Sequence, residues 1–541
     1  MDTHQLTRRD LLKLGAAAGV TLAAPAIPVE AQTPKRGGVF RIRGEDPVGF
    51  DPQLVQSYRT MTNLSFTHSR LVKMKAGAAV VPGTTQLEGD VAESWTMPTP
   101  TTWVFKLRKG VRWHNKPPVD GRELTADDVK FTYERFLAPR NPQRGLLEQV
   151  EKIEALDRST VRFTLTEPFA WFPYILAGTS MWLVPKEAVE KFGDLRRPEA
   201  CIGTGPFMLE RYEPAVRLTF VRNPSYFVPG LPYVDGVEVR VDEDPSSRLA
   251  TWLSGGYDFA PEYDMVVRRS DLDVVKQRKP RVQTKDFVWL VGGITFMKLD
   301  QEPFKDIRVR RAFALAQSWK EILETNAFSQ GHGVPNTAIP AAFKDWALPI
   351  SELPPEARRL QEQDLGEAKR LLAEAGYAKG LKIPYETTPG FGPDYMDAVQ
   401  IALKNWKAAG VDLDVRLKEY PAGVASILVG KFDRFAGWLF GGWDNPDSYL
   451  HRYNSPGQPT NASGVNDPKF NEMMRAQRRT FDDAKRREIV WDIQRYLATQ
   501  VYYLYGPSAS VVSGWEPYVQ NFGPNFGHDY GGRLMVAWID K

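Results

Sequence analysis

The pattern of apolar and polar residues changes from a period of two to a helical period between residues 103 and 136. The alternating apolar residues at its start are Trp103, Phe105 and Leu107. They predict a half-buried strand, which Gly110 ends. Thr125 and Asp128 then form a Thr-x-x-Asp capping pair, which predicts the first turn of a helix. The apolar residues on one face of that helix are Val129, Tyr133 and Phe136.

Two later segments also predict amphipathic helices. In the first, Asp306 is the predicted N-cap. Its apolar stripe consists of Val309, Ala312, Phe313 and Ala316. In the second, Asp364 is the N-cap, Glu367 holds the third position and Gly376 ends the helix. The residues predicted to face inward are Leu371, Leu372 and Ala375.

Short strand-like runs alternate with these helices along the chain. Two examples are residues 411–415 and residues 435–440. This alternation favours an α/β fold over a helical bundle or a β-sandwich. The chain has 541 residues, which is too many for one hydrophobic core, so two or three domains are expected.

Composition and charge exclude several classes of function. The 70 basic and 66 acidic residues leave a net charge of only +4, and no basic run is long enough to predict nucleic-acid binding. The sequence contains no Gly-x-Ser-x-Gly elbow, no phosphate-binding loop and no His-Glu-x-x-His motif. The six histidines have no metal-ligand spacing, and the single cysteine, Cys201, is predicted to be a small buried residue. We therefore predict a binding protein rather than an enzyme, with no cofactor and no metal.

The first 31 residues resemble an export signal. Arg8 and Arg9 form a twin-arginine pair, and an apolar stretch from about residue 14 to residue 27 follows. This stretch is shorter than the roughly 20 apolar residues of a membrane span. A small-residue cleavage site precedes Gln32, and the absence of a nearby cysteine argues against a lipid anchor. The prediction is periplasmic export by the twin-arginine route; the alternative is an ordinary amphipathic helix.

Several segments, in order, resemble one family of proteins. Residues 103–136 are similar to the signature of the family 5 extracellular solute-binding proteins; their sequence is WVFKLRKGVRWHNKPPVDGRELTADDVKFTYERF. These are the receptors of ABC importers for peptides, nickel and oligosaccharides. The other similar segments are residues 49–52, 90–95, 203–207, 222–226 and 304–312. The resemblance therefore covers nearly the whole mature chain.

The resemblance implies an α/β, two-lobed periplasmic-binding-protein-like fold of the class II type with an extra inserted subdomain. Residues 1–31 would be the export signal. The other expected parts are a first lobe from residues 36–75, 200–286 and 506–541, an inserted subdomain of that lobe from residues 76–199, and a second lobe from residues 287–505.

The resemblance also implies a function. The expected protein is a monomer that captures a peptide-type or similar small solute in an interlobe cleft and delivers it to an ABC permease and its ATPase at the membrane. No nucleic-acid partner is expected. One alternative is a receptor of the same family for an oligosaccharide or another neutral solute. Alternatives from other classes are a secreted hydrolase on the same fold and a periplasmic chaperone or sensor component.

The resemblance points to three loops for the ligand site. In two of them, glycines would let the backbone approach a ligand and tryptophans could stack on it. The candidate ligand-binding residues are Phe50 and Asp51 from the first lobe, Phe391 and Tyr395 from one loop of the second lobe, and Trp438, Gly441, Gly442, Trp443 and Asp444 from the other.

The charged anchors of the family's dipeptide receptors are missing from these loops. Those receptors hold the ligand's ammonium with an aspartate and its carboxylate with an arginine, as charge-assisted hydrogen bonding favours. Here the aspartate position falls on Gly441 or Gly442, and the arginine position falls near Pro389 or Gly390. Asp444 is a candidate replacement for the acid. The dipeptide interpretation is therefore weakened, and a longer peptide or a sugar in an aromatic cleft stays open.

Overall fold

The structure is a computed structural model that describes residues 33–541 except residues 56, 442–444 and 526. The predicted export signal, with Arg8 and Arg9, lies outside the described residues. Residues 35–541 form one structural unit. Within the part of the chain that is described, none of the helices has the length and apolar character needed to cross a membrane.

The described strands fall into several sheets. In chain order they are β1 (Val39–Gly44), β2 (Val72–Met74), β3 (Leu87–Gly89), β4 (Ala92–Thr99), β5 (Thr102–Leu107), β6 (Val150–Asp157), β7 (Thr160–Leu165), β8 (Phe207–Glu213), β9 (Arg217–Arg222), β10 (Gly236–Val241), β11 (Val266–Val267), β12 (Gln283–Val288), β13 (Gly292–Met297), β14 (Gly333–Val334), β15 (Leu381–Thr387), β16 (Val411–Leu417), β17 (Phe435–Phe440), β18 (Tyr503–Tyr505), β19 (Ser508–Trp515), β20 (Val519–Gln520) and β21 (Trp538–Ile539).

Helices alternate with these strands. The described α-helices are α1 (Tyr58–Leu64), α2 (Ala126–Leu137), α3 (Phe172–Leu176), α4 (Lys186–Phe192), α5 (Pro245–Leu253), α6 (Leu272–Arg278), α7 (Ile307–Ala316), α8 (Trp319–Thr325), α9 (Pro355–Arg359), α10 (Leu365–Leu372), α11 (Pro393–Ala408), α12 (Tyr420–Ser426), α13 (Pro446–Asn454), α14 (Pro468–Arg479), α15 (Asp483–Gln500) and α16 (Tyr530–Leu534). This mixed composition confirms the predicted α/β class.

The sheet that contains the first strand has the order β1-β10-β9-β8. Strand β1 runs parallel to β10, and the other pairs are antiparallel. Along β1, Phe40 and Ile42 are buried in the core, while Arg41 and Arg43 alternate with them on the opposite face. Arg43 is the next-to-last residue of β1, so its side chain lies at the carboxyl end of the strand.

The sheet of the predicted inserted subdomain is antiparallel, with the order β4-β5-β7-β6. The three apolar residues predicted to alternate along β5 are all buried. At the start of α2, the Thr125 backbone N–H donates to Asp128 Oδ2 at 2.8 Å, which confirms the predicted capping box. The buried residues of α2 include Val129, Tyr133 and Phe136, as predicted.

The segment predicted to form the second lobe contains a five-stranded sheet with the order β16-β15-β17-β13-β18. Strand β15 is parallel to β16 and β17, whereas β13 is antiparallel to β17 and β18. Trp406 of α11 packs against Phe435 of β17 at 5.1 Å between ring centroids. Its Nε1–H donates to the Phe313 carbonyl of α7 at 3.1 Å, so these two helices share one face of the sheet.

The other two predicted helix starts are also confirmed. The Asp306 side chain accepts from the Arg308 N–H at 2.8 Å, and the Asp364 side chain accepts from the Glu367 N–H at 2.9 Å. Helix α10 ends at Leu372, earlier than predicted, and a wider turn follows in which Gly376 has φ 97°. The left-handed conformation at Gly376 explains why the helix cannot continue there.

A small sheet lies at the predicted boundary between the two lobes. Strand β19 pairs with β11, β12 and β14. Residues 289–291 then connect β12 directly to β13 of the five-stranded sheet. Trp289 lies in this crossing, and its Nε1–H donates to Asp264 Oδ2 at 2.9 Å.

The largest hydrophobic core extends from the inserted subdomain into the second lobe. Trp171 packs against Trp346 with 4.7 Å between ring centroids, and its Nε1–H donates to Gln477 Oε1 at 2.7 Å. The subdomain that the sequence assigns to the first lobe therefore also packs on the second. The lobe boundaries themselves stay predictions.

Candidate ligand-binding cleft

A cavity of about 560 Å³, here called the cleft, lies between segments predicted to belong to the two lobes. The end of β1, helix α1 and residues 243–268 line it from one side. Residues 389–394, the start of α12 and strand β17 line it from the other, and the inserted subdomain adds Gln143, Thr179 and Ser180. Small-molecule sites have volumes of about 300–1,000 Å³, so the cleft has the size of a ligand site.

Aromatic side chains of the second lobe form one wall of the cleft. The Trp438 indole of β17 stacks on Tyr420 with 5.9 Å between centroids and meets the edge of Phe391 at 4.9 Å. Helix α12 lies close to this indole because residue 423 is glycine; a Cβ there would lie only 2.6 Å from the Trp438 ring. The three rings therefore form one rigid apolar surface.

Charged side chains from the end of β1 and from α1 form part of the opposite wall. Arg43 donates to Glu45 Oε1 at 3.1 Å, and the Arg59 guanidinium lies 3.6 Å from the same oxygen. Burial raises the pKa of the Glu45 carboxyl, but the two arginines outweigh burial and hold the pKa below its ordinary value. Arg59 also crosses the cleft: it donates to the Gly390 carbonyl at 3.4 Å and lies 5.1 Å from the centroid of the Tyr420 ring.

A second group of charges follows α5. Arg248 pairs with Glu262 at 2.8 Å, and Arg268 lies 3.7 Å from the same carboxylate. Arg268 Nη2 also pairs with Asp394 Oδ2 of α11 at 2.6 Å, which joins residues predicted to belong to different lobes. Burial raises the pKa of the Asp394 carboxyl, and Arg268 offsets only part of that effect.

Charges of both signs therefore surround the cleft. Among the described residues, its arginines are Arg43, Arg59, Arg248 and Arg268. The carboxylates that line it in the described part of the chain are Glu45, Glu243, Glu262, Asp394 and Glu419. Because the charges come from both predicted lobes, a ligand with separated positive and negative groups could contact both sides at once.

Comparison with known families identifies this architecture. Residues 86–461 match the family described as bacterial extracellular solute-binding proteins, family 5 middle. This match covers more than half of the chain. The chain belongs to this family.

Curated relatives of this family 5 protein are similar over most of their length. The dipeptide-binding protein of Escherichia coli is 28% identical over 513 residues, which cover 90% of each chain. The di/tripeptide-binding protein 1 of Pseudomonas aeruginosa is 27% identical over 491 residues, 84% of this chain and 86% of the relative. The heme-binding protein A of Haemophilus influenzae is 25% identical over 453 residues, 78% of this chain and 77% of the relative. These relatives are named as binding proteins, in agreement with the prediction that the family 5 chain is not an enzyme.

Solved structures confirm the two-lobed fold. The periplasmic binding protein DppA from Helicobacter pylori, in complex with the peptide STSA, superposes with a TM-score of 0.81 at 22% identity and covers 94% of this chain and 99% of its own. The oligopeptide-binding protein AppA from Bacillus subtilis, in complex with a nonapeptide, has a TM-score of 0.79 at 20% identity and covers 94% and 100%.

Three of the predicted ligand-binding residues line the cleft: Phe391, Trp438 and Gly441. Tyr395 lines a smaller neighbouring cavity instead, and its hydroxyl lies 2.8 Å from Thr387 Oγ1. A Cβ at residue 441 would lie 3.1 Å from the Leu290 carbonyl oxygen, so this glycine allows β17 to approach the lobe crossing. The remaining candidates of that loop, Gly442, Trp443 and Asp444, lie outside the described residues.

The two candidates from the first lobe are placed in the core rather than on the cleft wall. Phe50 is 2% exposed and packs against Tyr212 with 5.4 Å between centroids. Asp51 is fully buried, and Arg135 Nη2 donates to its Oδ2 at 2.5 Å. The turn that the sequence singles out therefore places these side chains where they hold the first lobe to α2.

Most of the charged residues of the cleft were missed because they lie outside the loops that the family resemblance highlighted; Asp394 lies inside one of these loops and was not singled out. Gly390 is one of the two positions near which the resemblance places the arginine of the dipeptide receptors, and here Arg59 from the facing wall donates to its carbonyl. One sequence signal could have found part of this set. In the run from Phe40 to Glu45, arginines alternate with buried apolar residues, which predicts charges on one face at the end of β1.

Two of the described histidines and the cysteine are buried in the protein core. His68 and His114 are buried, and burial lowers their pKa values to about 4 and about 3. Cys201 is buried as predicted, and burial raises the pKa of its thiol to about 11. The described parts of the chain contain no group of three or more His, Cys, Asp or Glu side chains arranged to hold a metal ion.

Proposed function

We propose that this family 5 protein is the solute receptor of an ABC importer and that it binds a short peptide with free termini in the cleft. The observation that carries the proposal is the charge of the cleft, in which arginines and carboxylates surround an aromatic wall. A peptide is a zwitterion whose two charged ends lie several ångströms apart. Oppositely charged groups on the two sides of a cleft are suited to hold such a ligand.

One of the cleft arginines retains an unpaired donor. Arg59 Nε is buried and has no hydrogen-bond partner among the described residues, whereas Arg268 Nε lies 3.7 Å from Glu262 Oε1. An unpaired buried donor is costly, and the cost is larger for a charged group. A carboxylate in the cleft would accept the Arg59 N–H once the guanidinium turns toward it, whereas Glu243, with a largely exposed side chain, and Glu419 offer oxygens to an ammonium group.

The alternative of an oligosaccharide or another neutral solute has less support. The aromatic wall suits a sugar ring, but a neutral ligand would cover the charged side chains without compensating them. The peptide proposal therefore stands first, and an oligosaccharide is included in its test.

We expect peptides of two to five residues to stabilise the mature chain, residues 32–541, after refolding to remove carried-over ligand. A ligand at 100 times its dissociation constant adds about 2.7 kcal/mol to the unfolding free energy, which a thermal-shift assay detects. N-acetylation or C-amidation of the same peptide should weaken binding at least about tenfold in calorimetry, because each modification removes one charge. A shift with oligosaccharides alone, or equal binding of blocked and free peptides, would contradict the proposal.

Closure of the lobes around the ligand would be the signal to the permease. The contacts of Arg59 and Arg268 across the cleft are interlobe contacts that ligand binding would reinforce. Export to the periplasm by the twin-arginine route and action as a monomer belong to the same proposal.

Export is tested in cells. Conversion of Arg8 and Arg9 to lysine should leave the precursor in the cytoplasm, because the export pathway is proposed to depend on the arginine pair. The measurement is immunodetection in periplasmic and cytoplasmic fractions. A matched Lys13→Arg variant should be exported normally, and unchanged export of the double variant would show that another route is used.

A further inference from the structure

A second cavity of about 200 Å³, here called the side pocket, lies inside the second lobe directly beside the cleft. It is enclosed by β13 and β17 of the five-stranded sheet and by helices α8 and α11. Trp289, Phe328, Phe391, Trp438 and Leu439 line both the side pocket and the cleft. A side chain of a ligand in the cleft could therefore enter the side pocket.

We propose that the side pocket binds an aromatic ligand side chain that carries a hydrogen-bond donor, which in a peptide means tyrosine or tryptophan. This inference rests on the proposed function, since it assigns one side chain of the peptide in the cleft. The pocket would select among peptides by two features: a mainly apolar wall and the unpaired amide oxygen of Gln317.

The walls of the side pocket are mainly apolar. They include Ile294, Trp319, Ile322, Leu323, Val399 and Ala402. The polar side chains at Asn326 and Ser329 are already engaged: Asn326 Nδ2 donates to the Asp394 carbonyl at 3.4 Å, and Ser329 Oγ donates to the Leu323 carbonyl at 2.5 Å. The carboxylate of Asp394 is paired with Arg268. A lysine or arginine side chain would lose its hydration here without gaining a free counter-charge.

Gln317 supplies the unpaired acceptor. This residue follows α7, is 1% exposed and lines the side pocket. Its Nε2 donates to the Ala402 carbonyl at 3.3 Å, which orients the amide. Its Oε1 is buried and has no hydrogen-bond partner among the described residues. The oxygen has almost no surface open to the pocket, so binding requires the Gln317 amide to turn toward the ligand. A tyrosine O–H or an indole N–H would then satisfy this oxygen, whereas phenylalanine or leucine would leave it unpaired.

Gly293 gives access to the pocket for an experiment. It lies in β13 opposite Leu439, and it lines the side pocket but not the cleft. A Cβ built at this residue has no heavy atom within 4 Å outside its chain neighbours, so there is open space beside it. A larger residue at position 293 would fill the side pocket while the charged walls of the cleft stay in place.

The test uses the mature chain and tripeptides in which one alanine of Ala-Ala-Ala is replaced in turn by Tyr, Trp, Phe or Leu. At one position, the tyrosine or tryptophan peptide should bind at least about tenfold more tightly than the phenylalanine peptide, because sites built to pair a polar group discriminate against analogues that lack it. In Gln317→Leu this preference should disappear while the phenylalanine peptide binds at least as well as before.

Gly293→Leu is the second variant, and it does not depend on the fold tolerating a change at Gln317. It should weaken binding of the preferred aromatic peptide at least tenfold and leave Ala-Ala-Ala binding unchanged. Equal affinities for the tyrosine and phenylalanine peptides at every position, or a preference that survives both substitutions, would overturn the side-pocket assignment and leave the peptide receptor standing. Binding of no peptide at all would overturn the proposed function and this inference with it.

Discussion

Arg59→Met is expected to weaken binding of a free peptide by about 30-fold to 150-fold, equivalent to about 2–3 kcal/mol. The substitution removes the guanidinium that reaches the Gly390 carbonyl and the Tyr420 ring across the cleft. It also removes the unpaired Nε–H that we assign to the ligand carboxylate. Isothermal titration calorimetry with the tightest peptide of the screen measures the change.

A conservative variant and a peptide with a blocked carboxylate test whether Arg59 binds the ligand carboxylate. Arg59→Lys keeps a positive charge but loses the planar set of donors, so an intermediate affinity is expected. If Arg59 holds the carboxylate, a C-amidated peptide should bind the wild type and Arg59→Met with similar affinity. Arg211→Met, on an exposed side chain of the first lobe, is the matched control and should bind normally. Unchanged affinity for the free peptide in Arg59→Met would remove Arg59 from the ligand site.

Helix starts and strands could be predicted from the sequence where a short residue pattern is compatible with only one type of secondary structure. Thr125 with Asp128, Asp306 and Asp364 each mark a helix start because an oxygen side chain satisfies free backbone N–H groups. The strand at residues 435–440 was predicted with its observed bounds, since a run of apolar and aromatic residues there fits a fully buried strand. These signals depend only on near neighbours in the chain.

The charged side of the cleft could not be predicted in this way. Arg59 and Gly390 are 331 positions apart, and Arg268 and Asp394 are 126 apart. Pairing of this kind depends on how the lobes meet, which no local period encodes. The family resemblance drew attention to two loops of the predicted second lobe, and the absence of the family's charged anchors from those loops suggested a cleft with few anchors. The structure places all four cleft arginines that it describes on the facing wall, while Asp394 and Glu419 lie on the side of these loops.

The position of Asp51 shows a different reason for a misplaced residue. A turn next to a cleft and a turn that ties a strand to a helix look alike in sequence. The structure surrounds Asp51 with donors from three segments: the Gln53 N–H at 3.0 Å, the Leu195 N–H at 3.1 Å and Arg135. A carboxylate with its oxygens engaged in this way is a structural anchor.

Asp51→Asn is expected to lower the free energy of unfolding by about 3–5 kcal/mol. The substitution leaves the mostly buried Arg135 guanidinium without its counter-charge, and the new amide group must face N–H donors that now point at a carboxylate. Urea unfolding followed by tryptophan fluorescence measures the loss. Asp127→Asn, on the exposed face of the first turn of α2, is the matched control and should change stability by less than about 1 kcal/mol.

The pH dependence identifies the ionised carboxylate as the cause. Burial raises the pKa of Asp51, but Arg135 and the backbone N–H groups outweigh it and hold the pKa below the ordinary value. An acid whose pKa is lower in the folded state stabilises that state above its unfolded pKa of about 3.9, and the stabilisation is lost as the pH falls through the folded value. The stability difference between wild type and Asp51→Asn should therefore be constant above about pH 5 and shrink at lower pH.

Ligand affinity separates a core role for Asp51 from a role at the ligand. At a temperature where Asp51→Asn is folded, its affinity for the preferred peptide should match that of the wild type, because Asp51 is fully buried and does not line the cleft. A variant of normal stability that no longer binds peptide would reverse this assignment. Asp51 would then contact the ligand, as the sequence analysis expected. The cleft would have to extend to Arg135 near the end of α2.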